Sequence, residues 1–106
     1  MKCAQCHTTA EKSERAVFPD ASQCRACHPE YEQQKPFALA RITRIPDFVF
    51  FSHARHHSAK VNCTACHGEV EKQETLAQQF TMKFCVDCHK AQKATITCTA
   101  CHELTQ

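Results

Sequence analysis

Apolar residues are spread thinly along the chain. None of its apolar runs approaches the roughly 18 consecutive residues that a membrane-spanning helix needs. The longest apolar run, Phe48 to Phe51, lies in the segment Ile45 to Phe51, which predicts a short strand. The pattern therefore predicts a chain without a membrane span and with at most a small two-stranded β element.

Helix formers fill residues 69–83, which should be the longest helix, with Leu76, Phe80 and Phe84 spaced to share one face. Within the stretch 30–45, a polar helix-compatible part ends at Pro36, and a mildly amphipathic part ends at Pro46. The predicted fold class is thus a mostly irregular chain with short α-helices.

The composition leaves little for a conventional core. The chain has 106 residues, and its apolar share of 42 % includes ten cysteines, while tryptophan is absent. The formal charge of +2 arises from 13 Lys and Arg against 11 Asp and Glu, without a basic block. We therefore expect no nucleic-acid partner.

The ten cysteines all belong to one repeated motif, Cys-x-x-Cys-His, and none is left over. Its five copies are Cys3-Ala-Gln-Cys6-His7, Cys24-Arg-Ala-Cys27-His28, Cys63-Thr-Ala-Cys66-His67, Cys85-Val-Asp-Cys88-His89 and Cys98-Thr-Ala-Cys101-His102. In such a motif two thiols add to the vinyl groups of one haem, and the next imidazole becomes the proximal iron ligand. The sequence therefore predicts five covalently attached haems c.

Two other uses of paired cysteines compete with haem attachment. A zinc array has no reason to place a histidine after every second cysteine. A disulfide framework gains little from cysteines three positions apart and would not repeat with histidine. Both alternatives therefore explain the motif less well than haem.

Haem attachment has consequences for compartment and folding. Thioether formation takes place outside the cytoplasm in bacteria and archaea, so we expect a periplasmic, surface-bound or extracellular protein. Only Met1 and Lys2 precede the first motif, so the sequence is expected to be mature or partial. Five macrocycles, at about 21 residues each, would supply the missing apolar surface, and the haem-free chain is expected not to fold stably.

Three histidines remain for the distal side of the irons. The chain has eight, of which five are proximal, leaving His53, His56 and His57 just before the third motif. Ordinary surface imidazoles are the alternative, but neighbouring irons bind nitrogen readily. All three are therefore candidate distal ligands. The two remaining irons then have no histidine of this chain for their distal side.

Met82 is the next candidate ligand, because its thioether lies three residues before Cys85 and thioethers raise the potential of the haem they bind. Core filling is the alternative role for this side chain. The fifth haem has four candidate sources of a distal ligand: Met1, the N-terminal amine, a lysine and a residue of another chain. An open coordination site is the remaining alternative.

Residues 51–102 resemble the class III multihaem cytochromes c, whose triheme members carry Phe-x-His-x-x-His ahead of three attachment motifs; here this is Phe51-Ser52-His53-Ala54-Arg55-His56. The resemblance implies that His53 serves the iron of His67 and His56 that of His89. The family's third distal histidine is absent, and Met82 lies one residue out of that place. A His102/Met82 haem is therefore the best match.

Residues 48–53 and 81–89 are also similar to the multihaem subunit of alternative complex III, a quinol-oxidising respiratory assembly. From the spacing of the motifs we expect an N-terminal diheme segment with linker over residues 1–47 and a triheme module over 48–106, packed as one compact unit. The widest interval, 34 residues between His28 and Cys63, is the natural joint.

The predicted function is electron transfer along closely packed haems, with redox proteins as partners. Two alternatives stay open. One is a protomer of a polymeric filament or a subunit of a larger redox complex, in which another chain supplies a ligand. The other is a reductase of a small oxyanion at an open haem, although no separate Lys, Arg and His cluster marks a substrate pocket.

Overall fold

A computed structural model describes residues 2–31, 45–72 and 79–103 of the chain. Most of these residues are irregular, and the regular elements are short. They are the α-helices α1 (Cys3–Cys6), α2 (Ala21–Arg25), α3 (His53–Ser58), α4 (Cys63–His67), α5 (Met82–Ala91) and α6 (Cys98–Cys101), and a 3₁₀ turn at Val70–Lys72. The predicted fold class is confirmed.

The predicted strand at residues 45–51 is wrong. The described residues contain one isolated antiparallel bridge, between Val49 and His102, and no sheet. The N–H of Val49 donates to the carbonyl of Pro46 at 3.0 Å, which closes a turn where the strand was expected. Proline and aspartate favour such a turn, and their local preference prevails over the apolar pattern of the segment.

The long helix predicted over residues 69–83 is also wrong in the part that is described. Residues 70–72 form only a 3₁₀ turn, and 79–81 are not helical. Helix α5 begins at Met82 because the Thr81 side chain accepts the N–H of Phe84 at 3.2 Å and acts as the N-cap. The rings of Phe80 and Phe84 do come together, with centroids 5.6 Å apart.

Other predictions fall outside the described residues. They include most of the stretch 30–45, because residues 32–44 are not described, and the place of Leu76. The division of the chain at residue 47 into diheme and triheme parts stays a prediction.

Helices α3 and α5 end in the same way. After α3, the N–H groups of Lys60 and Val61 donate to the carbonyls of His57 and His56, at 2.9 and 3.1 Å. After α5, Lys93 and Ala94 repeat the arrangement with Lys90 and His89. Both are Schellman caps, and each lysine takes the left-handed position, with φ of 64° at Lys60 and 55° at Lys93, where glycine is the usual residue.

No hydrophobic side chain of the described residues is buried. Several large ones are more than half exposed, among them Val17, Phe18, Phe48, Phe50 and Met82. Hydrophobic burial is the main driving force of folding, and these side chains supply little of it to one another. This observation fits a chain whose apolar surface packs against bound cofactors.

The described residues divide into two compact units. The first contains residues 2–31 and 52–63, and the second contains residues 45–51, 64–72 and 79–103. Within the first unit the loop after α1 contacts α3, and within the second the turn at 46–49 contacts the end of α6. Candidate iron ligands lie at both of these contacts.

Candidate functional site

The attachment motifs share one local geometry, a helical turn that runs from the first cysteine to the histidine. In the first, second and fifth motifs the N–H of the histidine donates to the carbonyl of the first cysteine, four residues earlier, at 2.9 Å in each case. The third motif is α4 itself, and the fourth lies inside α5. Residues four apart on a helix share a face, so first thiol and imidazole start from the same side of the turn.

The cysteines are available for thioether formation. None of the ten is in a disulfide. Among residues 2–31, 45–72 and 79–103, no group of three or more His, Cys, Asp or Glu side chains is arranged to hold a metal ion.

Two of the thiols are less acidic than an ordinary cysteine. Burial raises the pKa of the Cys63 thiol, and the neighbouring Cys3 thiol raises it further. Burial likewise raises the pKa of Cys85, with Cys101 adding to the effect. At both sites the polypeptide alone therefore favours the neutral thiol over the thiolate.

In three of the motifs the histidine ring contacts a backbone carbonyl through its nitrogen Nδ1. The Nδ1 atoms of His7, His89 and His102 lie 3.1, 2.6 and 3.2 Å from carbonyl oxygens of Val17, Thr95 and Phe48, respectively. A carbonyl can only accept, so we assign the ring proton to Nδ1, and Nε2 then carries the lone pair that binds metals. Such bonds are the usual way in which proteins orient metal-binding imidazoles.

His53 is held by the loop that follows α1. The carbonyl of Glu14 accepts both the backbone N–H of His53, at 3.1 Å, and its ring Nδ1–H, at 2.9 Å. The next N–H of α3, that of Ala54, donates to the carbonyl of Ser13 at 3.0 Å. The Ser52 hydroxyl accepts the N–H of Arg55, so the first turn of α3 is satisfied and His53 is fixed at its start.

His56 and His57 differ in their surroundings. Nδ1 of His56 donates to the carbonyl of Ser52 at 2.8 Å, which again assigns the lone pair to Nε2. Nε2 of His57 instead lies 3.4 Å from the Glu11 carboxylate, and both side chains are about half exposed. Ligation of iron through Nε2 of His57 would therefore require that contact to break.

The two remaining proximal histidines lie in different settings. His67 contacts the edge of the Phe80 ring, with centroids 5.9 Å apart. His28 is exposed, and its carbonyl accepts the N–H of Tyr31 at 2.9 Å. The surroundings of the imidazole thus differ from motif to motif, because they depend on the segments that pack against each one.

Met82 is the first residue of α5, one turn before Cys85, and 69 % of its surface is exposed. A buried thioether would have confirmed the alternative role of core filling. Its exposure keeps the sulfur accessible to a ligand site, and the predicted ligation by Met82 stays a prediction.

A cleft of about 310 Å³ in the first unit is lined by the first cysteines of two motifs, Cys3 and Cys63, together with Glu11, His57 and Lys60. The attachment points of two different motifs therefore face one space. The arrangement fits haems that are attached close together.

Sequence reasoning predicted the ligands but missed the groups that orient these imidazoles. These groups are main-chain carbonyls of Glu14, Val17, Phe48, Ser52 and Thr95. Every residue type carries a carbonyl, so a single sequence holds no signal for most of them.

Five Cys-x-x-Cys-His turns, in three of which a main-chain carbonyl orients the imidazole, are the attachment sites of a multihaem c-type cytochrome. A comparison with family models agrees: the model of the cytochrome c3 family matches residues 1–90, and the chain belongs to that family. The match includes the N-terminal segment and the first four motifs, and so begins earlier than the resemblance seen at residues 51–102. A search of the curated proteins finds no match.

Membership in this family establishes that the protein binds haem c covalently and takes part in electron transfer. Proteins of the family are typically periplasmic or extracellular. Over the described residues, no helix has the length and apolar character that crossing a bilayer requires. The similarity to the alternative complex III subunit stays a prediction.

Proposed function

We propose that the chain carries five haems c, one on each motif, and moves electrons between redox proteins as a small carrier or wire segment. The observation that supports this most directly is the shared turn of the motifs, in which the imidazole follows the first thiol on one helical face. Because every motif forms this turn, we expect each of the five to bind a haem.

Five histidines are proposed as proximal ligands, and His53 and His56 as distal ligands. The carbonyl contacts at Nδ1 of both distal candidates support this, because they assign the lone pair to Nε2. His57 stays a candidate, in competition with its contact to Glu11. Met82 is proposed as the thioether ligand opposite His102.

When bound, haem supplies the one-electron couple between ferric and ferrous iron. The polypeptide contributes position: helical turns set where each macrocycle is attached, and carbonyls fix the imidazoles. The cleft shared by Cys3 and Cys63 supports close attachment of two haems. Apolar side chains left exposed by the polypeptide, such as Phe48 and Phe50, would cover macrocycle surface and exclude water.

We place the protein outside the cytoplasm, in the periplasm or at the cell exterior, with redox proteins as donor and acceptor. Self-association or membership in a larger redox complex is the second arrangement, and reduction of an oxyanion at an open haem is the third. The three differ in the sixth ligand: internal, supplied by another chain, or absent.

Haem stoichiometry tests the proposal first. Mass spectrometry of the purified holoprotein should show five haems per chain, and a paired Cys24→Ser and Cys27→Ser variant should show four. A wild-type value of four would mean that one motif is not used.

The ferric EPR spectrum then separates the three arrangements. Low-spin signals from every haem of a monomer support an internal carrier. A high-spin fraction that binds added small ligands supports the reductase, and a fraction that becomes low-spin on self-association supports the filament. A His57→Ala variant that gains one high-spin haem would assign His57 as a ligand, and an unchanged spectrum would assign it to the Glu11 contact.

A further inference from the structure

One loop of the first unit, residues 7–17, holds two candidate iron ligands at once. Its first residue, His7, donates from Nδ1 to the carbonyl of Val17, at the other end of the loop. Its middle supplies the carbonyls of Ser13 and Glu14 to the first turn of α3, where His53 begins the helix. The shape of this loop therefore sets the orientation of imidazoles from two separate parts of the sequence.

The side chain that closes the loop is that of Thr9. Its hydroxyl donates to the carbonyl of Arg15 at 3.1 Å and accepts the N–H of Val17 at 3.1 Å. Its own carbonyl accepts the N–H groups of Lys12 and Ser13, at 3.1 and 2.8 Å. Thr9 thus bonds to both halves of the loop, and its hydroxyl joins residue 9 to residues 15 and 17.

These bonds lie next to the peptide groups that contact the ligands. The N–H of Val17 is bound by Thr9, and the carbonyl of the same residue is bound by His7. The carbonyl of Arg15 is bound by Thr9, and the carbonyl one residue earlier, that of Glu14, is bound twice by His53. Removing the hydroxyl would release both peptides from the loop while leaving the turn from Thr9 to Ser13 in place.

We infer that Thr9 is a positioning residue which, through its hydroxyl, sets the orientation of both His7 and His53. The inference rests on the proposal that these two histidines bind iron. A network in which one hydroxyl satisfies a donor and an acceptor is more stable than its separate bonds indicate, and it rigidifies the ligands it supports. Thr9 is half-buried, so its side chain can be changed without disturbing a packed core.

The test uses the holoprotein with Thr9→Val, which keeps the branched shape and removes the hydroxyl, and Thr9→Ser, which restores it. Thr99→Val is the matched control, because Thr99 is an exposed threonine of the fifth motif whose hydroxyl makes no hydrogen bond within the described residues. In Thr9→Val we expect amide hydrogen exchange at Ala54 to become about tenfold faster, the consequence of losing two hydrogen bonds of ordinary strength. The amide of Ala59, at the far end of α3, should change less than twofold.

The haem readout is the NMR spectrum of the paramagnetically shifted haem methyl groups. Thr9→Val should move the signals of at most two haems, those bound by His7 and His53, and Thr9→Ser should return them to the wild-type positions. Signals that stay unmoved in Thr9→Val, or that move equally in Thr99→Val, would overturn the inference.

Two further variants separate this failure from failure of the proposed function. If His53→Ala and His7→Ala each alter one haem while Thr9→Val alters none, the ligand proposal stands and the role of Thr9 is wrong. If neither histidine variant alters any haem spectrum, the ligand proposal itself is wrong, and the inference falls with it.

Discussion

The carbonyl oxygen of Phe48 lies 3.2 Å from Nδ1 of His102, and the Phe48 ring lies with its centroid 5.8 Å from the imidazole. One residue therefore orients the proximal histidine of the fifth motif through its main chain and covers it through its side chain. The two residues are 54 positions apart, and the neighbouring bridge of Val49 with His102 holds them together.

The two contributions of Phe48 can be separated by mutation. Phe48→Ala keeps the carbonyl and removes the ring, so water reaches the haem of His102 and stabilises the more highly charged ferric iron. We expect the reduction potential of one haem to fall by up to about 59 mV. For a one-electron couple, this corresponds to a tenfold change in the equilibrium constant of reduction. A spectroelectrochemical titration measures it. Phe50→Ala is the control, and an equal fall there would mean a general loss of apolar cover.

Replacement of a distal histidine should leave one iron without its sixth ligand. His53→Ala and His56→Ala are each expected to convert one low-spin haem into a high-spin haem, because no imidazole then occupies the distal position. EPR of the ferric protein measures the change, and added imidazole should reverse it. Arg55→Ala, in the same helix, should leave every haem low-spin. An unaltered spectrum in either histidine variant would remove that residue from the ligand set.

Met82 can be tested by changing the chemistry of its ligand atom. Met82→His replaces a thioether by an imidazole, and two histidines set a lower potential than histidine with methionine. We expect the highest of the haem potentials to fall, with all haems remaining low-spin. Met82→Leu should instead produce one high-spin haem. If Met82→Leu leaves the haem potentials and spin states unchanged, Met82 is not an iron ligand and has only a packing role.

Lys60 and Lys93, which adopt left-handed backbone conformations, allow a test of the stability of the protein rather than of iron ligation. An L-residue pays roughly 1–2 kcal/mol in the left-handed region, and glycine avoids this cost while losing more backbone entropy on folding. Lys60→Gly and Lys93→Gly should therefore raise the free energy of unfolding by up to about 1 kcal/mol each. Lys90→Gly, inside α5, should lower it by about the same amount. Chemical denaturation of the holoprotein measures the differences.

The carboxyl group of Asp20 should make the stability of α2 depend on pH. Hydrogen bonds from the Ser22 hydroxyl and then from the Gln23 N–H lower the pKa of this carboxyl below its ordinary 3.8. The carboxylate therefore stabilises the helix fully above pH 3.8, and this stabilisation is lost as the pH falls through the lowered pKa. The protection of residues 21–26 from hydrogen exchange, taken relative to the intrinsic exchange rate at each pH, should fall in acid. Asp20→Asn keeps the cap without a titrating group, so its exchange should lack this pH step.

The attachment motifs could be predicted from sequence because their chemistry lies within five consecutive residues, and the structure adds only that each is a helical turn. The structure of residues 45–51 and 69–83 could not be predicted in this way. The turn at Pro46 replaced the strand that the apolar pattern indicated, and the Thr81 cap started the helix later than the helix formers indicated. The carbonyl partner of His53 is 39 residues away and that of His102 is 54 away, so contacts of this kind become visible only in the folded chain.

Five of the imidazoles are oriented by main-chain oxygen atoms, and this affects how the sequence can change over evolutionary time. Positions 14, 17, 48, 52 and 95 can exchange their side chains while the hydrogen bond to the histidine persists. Selection on ligand geometry then falls on the path of the backbone rather than on residue identity. Related chains could accordingly differ at most positions outside the motifs and still present their histidines alike.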